Sequence, residues 1–520
     1  MSKRPADILF QLIHSLEKAE KRHFKLYIKR SSSKGDLKIV QLFDAIDKLP
    51  EYDEKALLKK LPRFTKEQLS SLKSHLYKQI LASLRLLKSA DSIDLQLNEQ
   101  FDYAHILYKK GLFLQSLRII EKAKDTAKAN QKINVLAQFL ALEKRIESLH
   151  ITRSIGNKAE VLSAESVEVS THIDAVTRLS NLALILYSWY IKHGHVRNKD
   201  DEASIKNFMR DHLPHDAWQQ TGFYERLYLY QSFAWYAFIR QDFLMYYRYA
   251  QKWVNLFDEQ PSMKRVETGH FIKGVHNLMG AHFTLRDHKK FSETLSRFEQ
   301  FAKTTRVQEN DNFRVQCFLY ITQGKINQHF MKGSFSQGLS LVPDIQRKLS
   351  EYILLIDQHR VMVMHYKIAA LYFGAGDYST SIDYLQKIIN ETADLRYDLQ
   401  CYARLLHLLA HYELGNLELM EYLGQSVYNF MRKMKNLTYV EEEMLKFLRR
   451  SSYMSSQRTN VELKKFVERI SSFEKDRFQT RVFVYMDIIS WGKAKLSGKR
   501  FSEVLQEKYK TDKRKKHVAA

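Results

Sequence analysis

The stretch Gly374-Ala375-Gly376-Asp377-Tyr378 lies between two apolar helical patterns and decides the fold class of this chain. Small and aromatic residues flank Gly376 on both sides, and the full set is Ala369, Tyr372, Tyr378, Ser381, Leu385 and Ile388. Small residues let two helices approach, aromatic rings fill the wedge between them, and glycine allows the turn. The stretch therefore predicts the corner of an antiparallel helical hairpin.

The same turn pattern recurs along most of the chain. Eight positions carry it, with a mean spacing of about 43 residues: Gly111, Gly156, Gly194, Gln241, Lys289, Gly333, Gly376 and Gly415. Repeats of this length stack on one another, because a single hairpin cannot bury its own apolar face. The sequence predicts an all-α fold, namely an elongated, right-handed solenoid of about eight antiparallel helical hairpins with terminal capping helices.

The segments around Gly111 and Gly376 resemble tetratricopeptide repeats, and the resemblance covers about residues 95–430. It implies a TPR-like solenoid, which is usually a binding surface. Three features depart from the family pattern: the opening Trp is absent, the final Pro is mostly missing, and Ser116 or Ser381 stands where Ala is usual. Residues 15–27 are also similar to long helical proteins of Bacteroidetes bacteria, which implies a bacterial origin and no particular activity.

Composition favours a helical, cytoplasmic protein. Only 17 Gly and 6 Pro occur in 520 residues, too few for the frequent turns of a β-rich fold. The two cysteines, Cys317 and Cys401, do not form a disulfide framework and fit a reducing compartment. The most apolar run, residues 182–191, is shorter than the roughly 20 residues that span a bilayer, so no membrane contact is expected.

The net charge of +24 is concentrated at the two ends of the chain. Residues 1–90 hold 20 Lys and Arg against 10 Asp and Glu, and residues 493–520 hold 10 against 3. Positive charge of this kind attracts phosphate backbones or acidic protein surfaces, although it also serves solubility.

Four segments are predicted: a basic N-terminal helical module (1–92), a TPR-like solenoid (93–430), capping helices (431–500) and a basic tail (501–520). In the module, Thr65 and Gln68 form a capping box at the start of a long helix. Five basic side chains share one face of the second helix: Lys18, Lys21, Arg22, Lys25 and Lys29. The module resembles a helix-turn-helix in outline, and three-helix packing without a nucleic-acid role is the alternative.

Residues 223–254 contain thirteen aromatic side chains interleaved with arginines. Such a stretch can stack bases or grip a peptide, and its candidate partner-binding residues are Arg226, Tyr236, Arg240, Tyr247 and Arg248. The alternative is that large rings fill wide gaps in the helical stack.

No pattern of catalytic residues stands out. His407 and His411 are four residues apart, as zinc ligands on a helix would be, but no acidic third ligand has a suitable spacing. Gly374 and Gly376 lack the third glycine of a dinucleotide fingerprint and follow a helix. No catalytic, cofactor-binding or metal-binding residue and no small-molecule substrate is therefore predicted.

The predicted function is that of a non-enzymatic scaffold that binds a protein or peptide partner on its concave surface. The alternative is a nucleic-acid-binding or regulatory protein that acts through its basic N-terminal module and C-terminal tail.

Overall fold

The computed structural model describes residues 7–30, 34–61, 65–150, 157–219, 221–391, 396–434, 437–474, 476–479 and 481–518, and all regular elements within these ranges are helical. The all-α prediction is confirmed. None of the helices in these ranges is long and apolar enough to cross a membrane. The chain divides into two compact units, with the boundary between residues 173 and 174.

The first unit holds eight helices and the start of a ninth: α1 Ile8–Ser15, α2 Lys18–Arg30, α3 Lys34–Asp47, α4 Glu54–Lys60, α5 Lys66–Lys88, α6 Ile93–Lys109, α7 Phe113–Ala129, α8 Ile133–Leu149 and α9 Lys158–His193. Helices α1 to α5 enclose one core, in which Phe24 packs on Phe43. Thr65 and Gln68 form the predicted capping box of α5. Helices α6 to α9 enclose a second core around Phe139.

The second unit begins within α9 and contains the remaining helices: α10 Lys199–His212, α11 Phe223–Ile239, α12 Phe243–Glu259, α13 Met263–Val266, α14 Thr268–Thr284, α15 His288–Ala302, α16 Thr305–Gln308, α17 Asp311–Lys332, α18 Phe335–Gly338, α19 Val342–Glu351, α20 Gln358–Ala375, α21 Tyr378–Ile389, α22 Tyr397–Glu413, α23 Met420–Lys433, α24 Tyr439–Ser451, α25 Ser456–Ser471, α26 Arg481–Tyr485, α27 Ile488–Ser497 and α28 Phe501–Val518. Successive hairpins form a row in which α14 contacts α17, α17 contacts α20, and α20 contacts α22. We call α11 to α23 the hairpin row.

The turn residues of the hairpins adopt the left-handed conformation. Six of the eight predicted turn positions have a positive φ: Gly111, Gly194, Gln241, Gly333, Gly376 and Gly415. The prediction of Lys289 is wrong, because Lys289 lies inside α15 and the turn residue is Arg286, with a φ of 52°. A pattern based on glycine does not detect a turn in which another residue type adopts the left-handed conformation. Gly156 lies outside the described residues.

One hydrogen-bond pattern closes these turns. In the turns at Gln241, Arg286 and Gly376, an aspartate follows the left-handed residue, and its backbone N–H donates to the carbonyl five residues earlier, at 2.8 to 3.0 Å. The side chain of the same aspartate accepts a backbone N–H of the next helix. One residue therefore ends the first helix of the hairpin and caps the second.

Ser116 and Ser381 make the same contact in two different hairpins. The hydroxyl of Ser116 donates to the carbonyl oxygen of Ala104 at 2.8 Å, and that of Ser381 donates to Ala369 at 2.9 Å. Both serines are fully buried. The acceptor stands twelve residues earlier on the facing helix, so the buried hydroxyl is satisfied at the point where the two helices approach closely.

The end of the second unit returns along the hairpin row. Helix α25 contacts α27, α27 contacts α28, and α28 contacts α17 and α20. We call residues 474–512, apart from 475 and 480, the returning segment. It brings residues that are distant in sequence against the turns of the row.

Two substitutions in the first unit test the left-handed turns. Gln131 has a φ of 57° between α7 and α8, so Gln131→Gly should raise the free energy of unfolding by about 0.5–1 kcal/mol. Gly111 has a φ of 76° with open space around it, so Gly111→Ala should lower the free energy of unfolding by about 1 kcal/mol through backbone strain alone. Urea denaturation measures both, and equal stability of the three proteins would contradict the turn assignment.

Candidate functional site

The hairpin row holds the backbone of the returning segment. The side chain of Gln241, at one hairpin turn, donates a hydrogen bond to the carbonyl oxygen of Arg477. The hydroxyl of Tyr366, on α20, lies 3.3 Å from the carbonyl oxygen of Tyr485. Two side chains from different hairpins thus contact the main-chain carbonyls of Arg477 and Tyr485.

Side chains of the same segment are also bound. Tyr485 donates a hydrogen bond to Asp398 at 2.7 Å and stacks on Tyr402, with ring centroids 4.1 Å apart. Arg477 forms an ion pair with Glu202, a buried carboxylate that also pairs with Arg240. The segment is therefore anchored at α10 and at α22, on both sides of the central hairpins.

Helix α28 closes against the turn after α17. The side chain of Gln506 donates to the carbonyl oxygen of Gly333 at 3.1 Å, and Phe501 stacks on Phe335. A Cβ atom at Gly333 would lie 2.7 Å from the carbonyl oxygen of Ser502. Glycine is therefore needed there for its left-handed backbone and for the close approach of α28.

A cavity of about 810 Å³ lies between the returning segment and the hairpin row. Its wall includes the aromatic rings of Phe243, Phe283, Phe330, Phe335, Phe373 and Phe501. Charged side chains border it. Arg286 lies 3.8 to 4.0 Å from carboxylate oxygens of Glu474, Asp487 and Asp512.

Asp487 is the most strongly held carboxylate of this border. Burial alone would raise its pKa, but Lys508, whose Nζ lies 2.8 Å away, and the nearby Arg286 bring the pKa below its ordinary value. Asp487 also accepts the backbone N–H of Ser490 and so caps α27. It is therefore ionised at neutral pH and fixes the position of α28 relative to α27.

A second feature of the row is a patch of cationic side chains placed over aromatic rings. Lys273 Nζ lies 5.9 Å from the ring centre of Trp235 and 5.5 Å from that of Tyr320. His276 stacks on Tyr320 at 3.9 Å. Lys367 Nζ lies over the rings of Phe283 and Phe330 and donates to Asn327 at 2.6 Å. We call Lys273, His276 and Lys367 with these rings the cationic patch.

The positive charge of the cationic patch is not neutralised. Burial lowers the pKa of Lys367 to about 8. Burial, followed by the charges of Lys273, Arg360 and Lys367, lowers the pKa of His276 well below its ordinary value, so that its imidazole is neutral at pH 7. Within the described ranges, no carboxylate lies within ion-pair distance of Lys273 or Lys367. Among the residues that the structure describes, the patch therefore has no carboxylate partner for Lys273 or Lys367.

The predicted basic stripe of α2 is divided between packing and solvent. Lys21 pairs with Asp47 at 2.6 Å, and Lys25 pairs with Asp44 at 2.7 Å. The other three members, Lys18, Arg22 and Lys29, are exposed. Two of the five cations thus join α2 to α3, and its role in partner binding stays a prediction.

The predicted residues of the aromatic stretch do not come together at one place. Arg240 covers the buried ring of Tyr236 and pairs with Glu202. The other three lie elsewhere: Arg226 pairs with Glu259, Tyr247 accepts a hydrogen bond from Lys290, and Arg248 is exposed. Many rings of the stretch belong to the buried cores, so they fill space between helices.

The histidine pair and the two cysteines pack against other residues. The rings of His407 and His411 meet edge to face at 4.6 Å, and His411 hydrogen-bonds to Asn416. Among the residues that the structure describes, no three His, Cys, Asp or Glu side chains are grouped as metal ligands. Cys317 and Cys401 are buried, and burial raises the pKa of Cys317 to about 12, so this thiol stays protonated at neutral pH.

The cationic patch is not predicted from the sequence above, although the spacing of its residues from the hairpin turns indicates it. Lys273 and Tyr320 both stand thirteen residues before the left-handed residue of their hairpin, Arg286 and Gly333 respectively. Placing the turn at Lys289 shifts this register by three residues and hides the equivalence. The correct turn position brings the two residues to the same place on neighbouring helices.

No protein-family model, curated protein or solved structure matches this chain. The contacts of the second unit therefore carry the functional argument. They define three features: a bound returning segment, an aromatic cavity beneath it, and a cationic patch whose lysines pair with no described carboxylate.

The depressed pKa of Lys367 predicts a particular pH dependence of stability. Between about pH 8 and the ordinary lysine value of 10.5, the unfolded chain keeps the proton that the folded chain has lost. The free energy of unfolding attributable to Lys367 should therefore rise with pH across this window. Lys367→Met should raise stability at pH 7 and remove that rise.

The measurement is chemical denaturation at several pH values, with Lys433→Met as the control because Lys433 is exposed on α23. The control should keep the pH dependence of the unsubstituted chain. An Lys367→Met variant with an unchanged pH profile would contradict the assignment.

Proposed function

We propose that this chain is a non-enzymatic, cytoplasmic scaffold, a TPR-like solenoid whose concave surface binds a protein partner. The observation that carries this proposal is that the side chains of Gln241 and Tyr366 hydrogen-bond to backbone carbonyls of the returning segment. These two side chains are engaged by the chain's own carbonyls, and a partner peptide would bind in the same way elsewhere on the row, because every peptide presents the same carbonyls.

The chemistry of the cationic patch supports a partner with an acidic segment. Lys273 and Lys367 are partly removed from water and face aromatic rings, so each charge lacks full solvation, and no described carboxylate pairs with either. A carboxylate bound there would supply the missing opposite charge at low dielectric constant, where the attraction is strong. Asn327 would add a side-chain amide beside Lys367.

The pKa of His276 would change when such a partner binds. Its imidazole is neutral in the unbound chain because burial and three neighbouring cations oppose protonation. A carboxylate placed among Lys273, His276 and Lys367 would offset those cations and raise the histidine pKa. A rise in the pKa of His276 on binding would therefore distinguish a ligand bound in the patch from one attracted to the basic protein in general.

A fluorescein-labelled hexaglutamate peptide tests the proposal by fluorescence anisotropy. The full chain should bind it, and Lys273→Gln should weaken binding by about tenfold because one charge-assisted contact is lost. Lys433→Gln is the matched control, since it removes the same charge from an exposed position on α23. Equal weakening by both substitutions, or no binding by the unsubstituted chain, would count against an acidic partner at the patch.

Nucleic-acid binding by the N-terminal module remains the alternative proposal, supported by the exposure of Lys18, Arg22 and Lys29. Reversing these three charges to Glu should abolish binding to a single-stranded oligonucleotide and flatten its salt dependence. A matched control reverses three other exposed lysines of the same unit: Lys59, Lys60 and Lys66. Binding that survives the first triple substitution would exclude the α2 stripe as the contact.

A further inference from the structure

The cavity beneath the returning segment is large for a protein interior. Packed cores rarely leave voids much larger than a water molecule, whereas this space measures about 810 Å³. Binding sites for small molecules have volumes of about 300–1,000 Å³ and bury most of the ligand surface. Its size is therefore that of a ligand site and exceeds that of a packing defect.

The wall of the cavity selects an apolar occupant. Rings from four hairpins and from α28 face it, among them Phe243, Phe283, Phe330 and Phe501. Met331 and Met486 add flexible thioether side chains that can adapt to the shape of a bound molecule. Aromatic rings in a ligand would find offset or edge-to-face neighbours on several sides.

The border of the cavity carries balanced charge. Three cationic side chains, Arg286, Arg477 and Lys508, accompany three carboxylates, Glu474, Asp487 and Asp512. These groups pair with one another or with Glu202. A charged ligand would have to displace an existing pair, whereas an uncharged ligand leaves all of them intact.

The returning segment covers this space from one side. Phe501 and Leu505 of α28 contribute to the wall, and Gln506 and Ser502 pack against Gly333 next to it. The chain's own helix thus covers one side of the space and leaves another side open. A recess of this volume with one covered side fits a small molecule better than a segment of another protein.

We propose that this cavity binds an uncharged, largely apolar small molecule that contains an aromatic ring, and that α28 closes over it. The cavity shares the rings of Phe283 and Phe330 with the cationic patch. The proposal does not depend on the scaffold function. No sequence pattern indicates a small-molecule ligand, because the wall combines residues from positions 241 to 512.

The test is a fluorescence titration of the full chain with 1-aminoanthracene, an uncharged aromatic probe at pH 7.4. We expect saturable binding of one probe per chain. Ala370→Phe places a ring in the cavity from α20 and should weaken binding at least tenfold. Ala141→Phe is the matched control, because Ala141 is exposed on α8 in the first unit, and it should bind as the unsubstituted chain does.

A second filling variant, Met331→Trp, guards against misfolding of the first, and the circular dichroism spectrum and thermal midpoint of each variant confirm folding. Weaker binding by a folded filling variant supports the proposal. Unchanged binding by both folded filling variants, or no saturable binding by the unsubstituted chain, overturns it. Tighter binding of the anionic probe 1-anilinonaphthalene-8-sulfonate than of 1-aminoanthracene would overturn the assignment of an uncharged ligand.

Discussion

Hairpins in both units depend on a residue in the left-handed backbone conformation, for example Gly111 between α6 and α7, Gln241 between α11 and α12, and Gly376 between α20 and α21. That residue reverses the chain so that the next N–H reaches the carbonyl five residues back, and the helix ends there. Where an aspartate follows, its side chain caps the second helix of the hairpin. In the α20–α21 hairpin, the turn at Gly376 also brings the buried hydroxyl of Ser381 to the carbonyl oxygen of Ala369 on the facing helix.

The same constraint positions the functional features of the second unit. Each turn residue follows the first helix of its hairpin, and the returning segment contacts several of these turns. Gln241 uses its left-handed backbone to make a turn and its side chain to bind a carbonyl of that segment. Arg286 likewise makes a turn and contributes charge to the border of the cavity. The residues that shape the hairpins therefore also hold the segment that covers them.

The sequence predicts the helical class and most of the hairpin corners because these are local properties. Glycine at positions 111, 333, 376 and 415 signals a left-handed residue directly, and Gln241 was found through the repeat spacing. Arg286 was missed because its side chain gives no such signal. The cavity could not be predicted at all, since its wall requires residues of α12 and α28 to meet across more than two hundred positions of sequence. The helix that carries the α2 stripe follows from local spacing, but the pairing of Lys21 and Lys25 with aspartates of α3 is a tertiary property that spacing does not indicate.

The return of residues 474–512 also determines the order in which the second unit can be completed during synthesis. Glu202 and Arg477 form an ion pair although 275 positions separate them, and Tyr485 binds Asp398 on a helix made much earlier. Local hairpins can form as each pair of helices leaves the ribosome, because their contacts are close in sequence. The aromatic wall beneath the returning segment remains open to solvent until residue 512 has been made. The nascent chain therefore carries an uncovered apolar surface from the completion of α20 until the returning segment has been made, and protection by a chaperone at that stage would favour its correct folding.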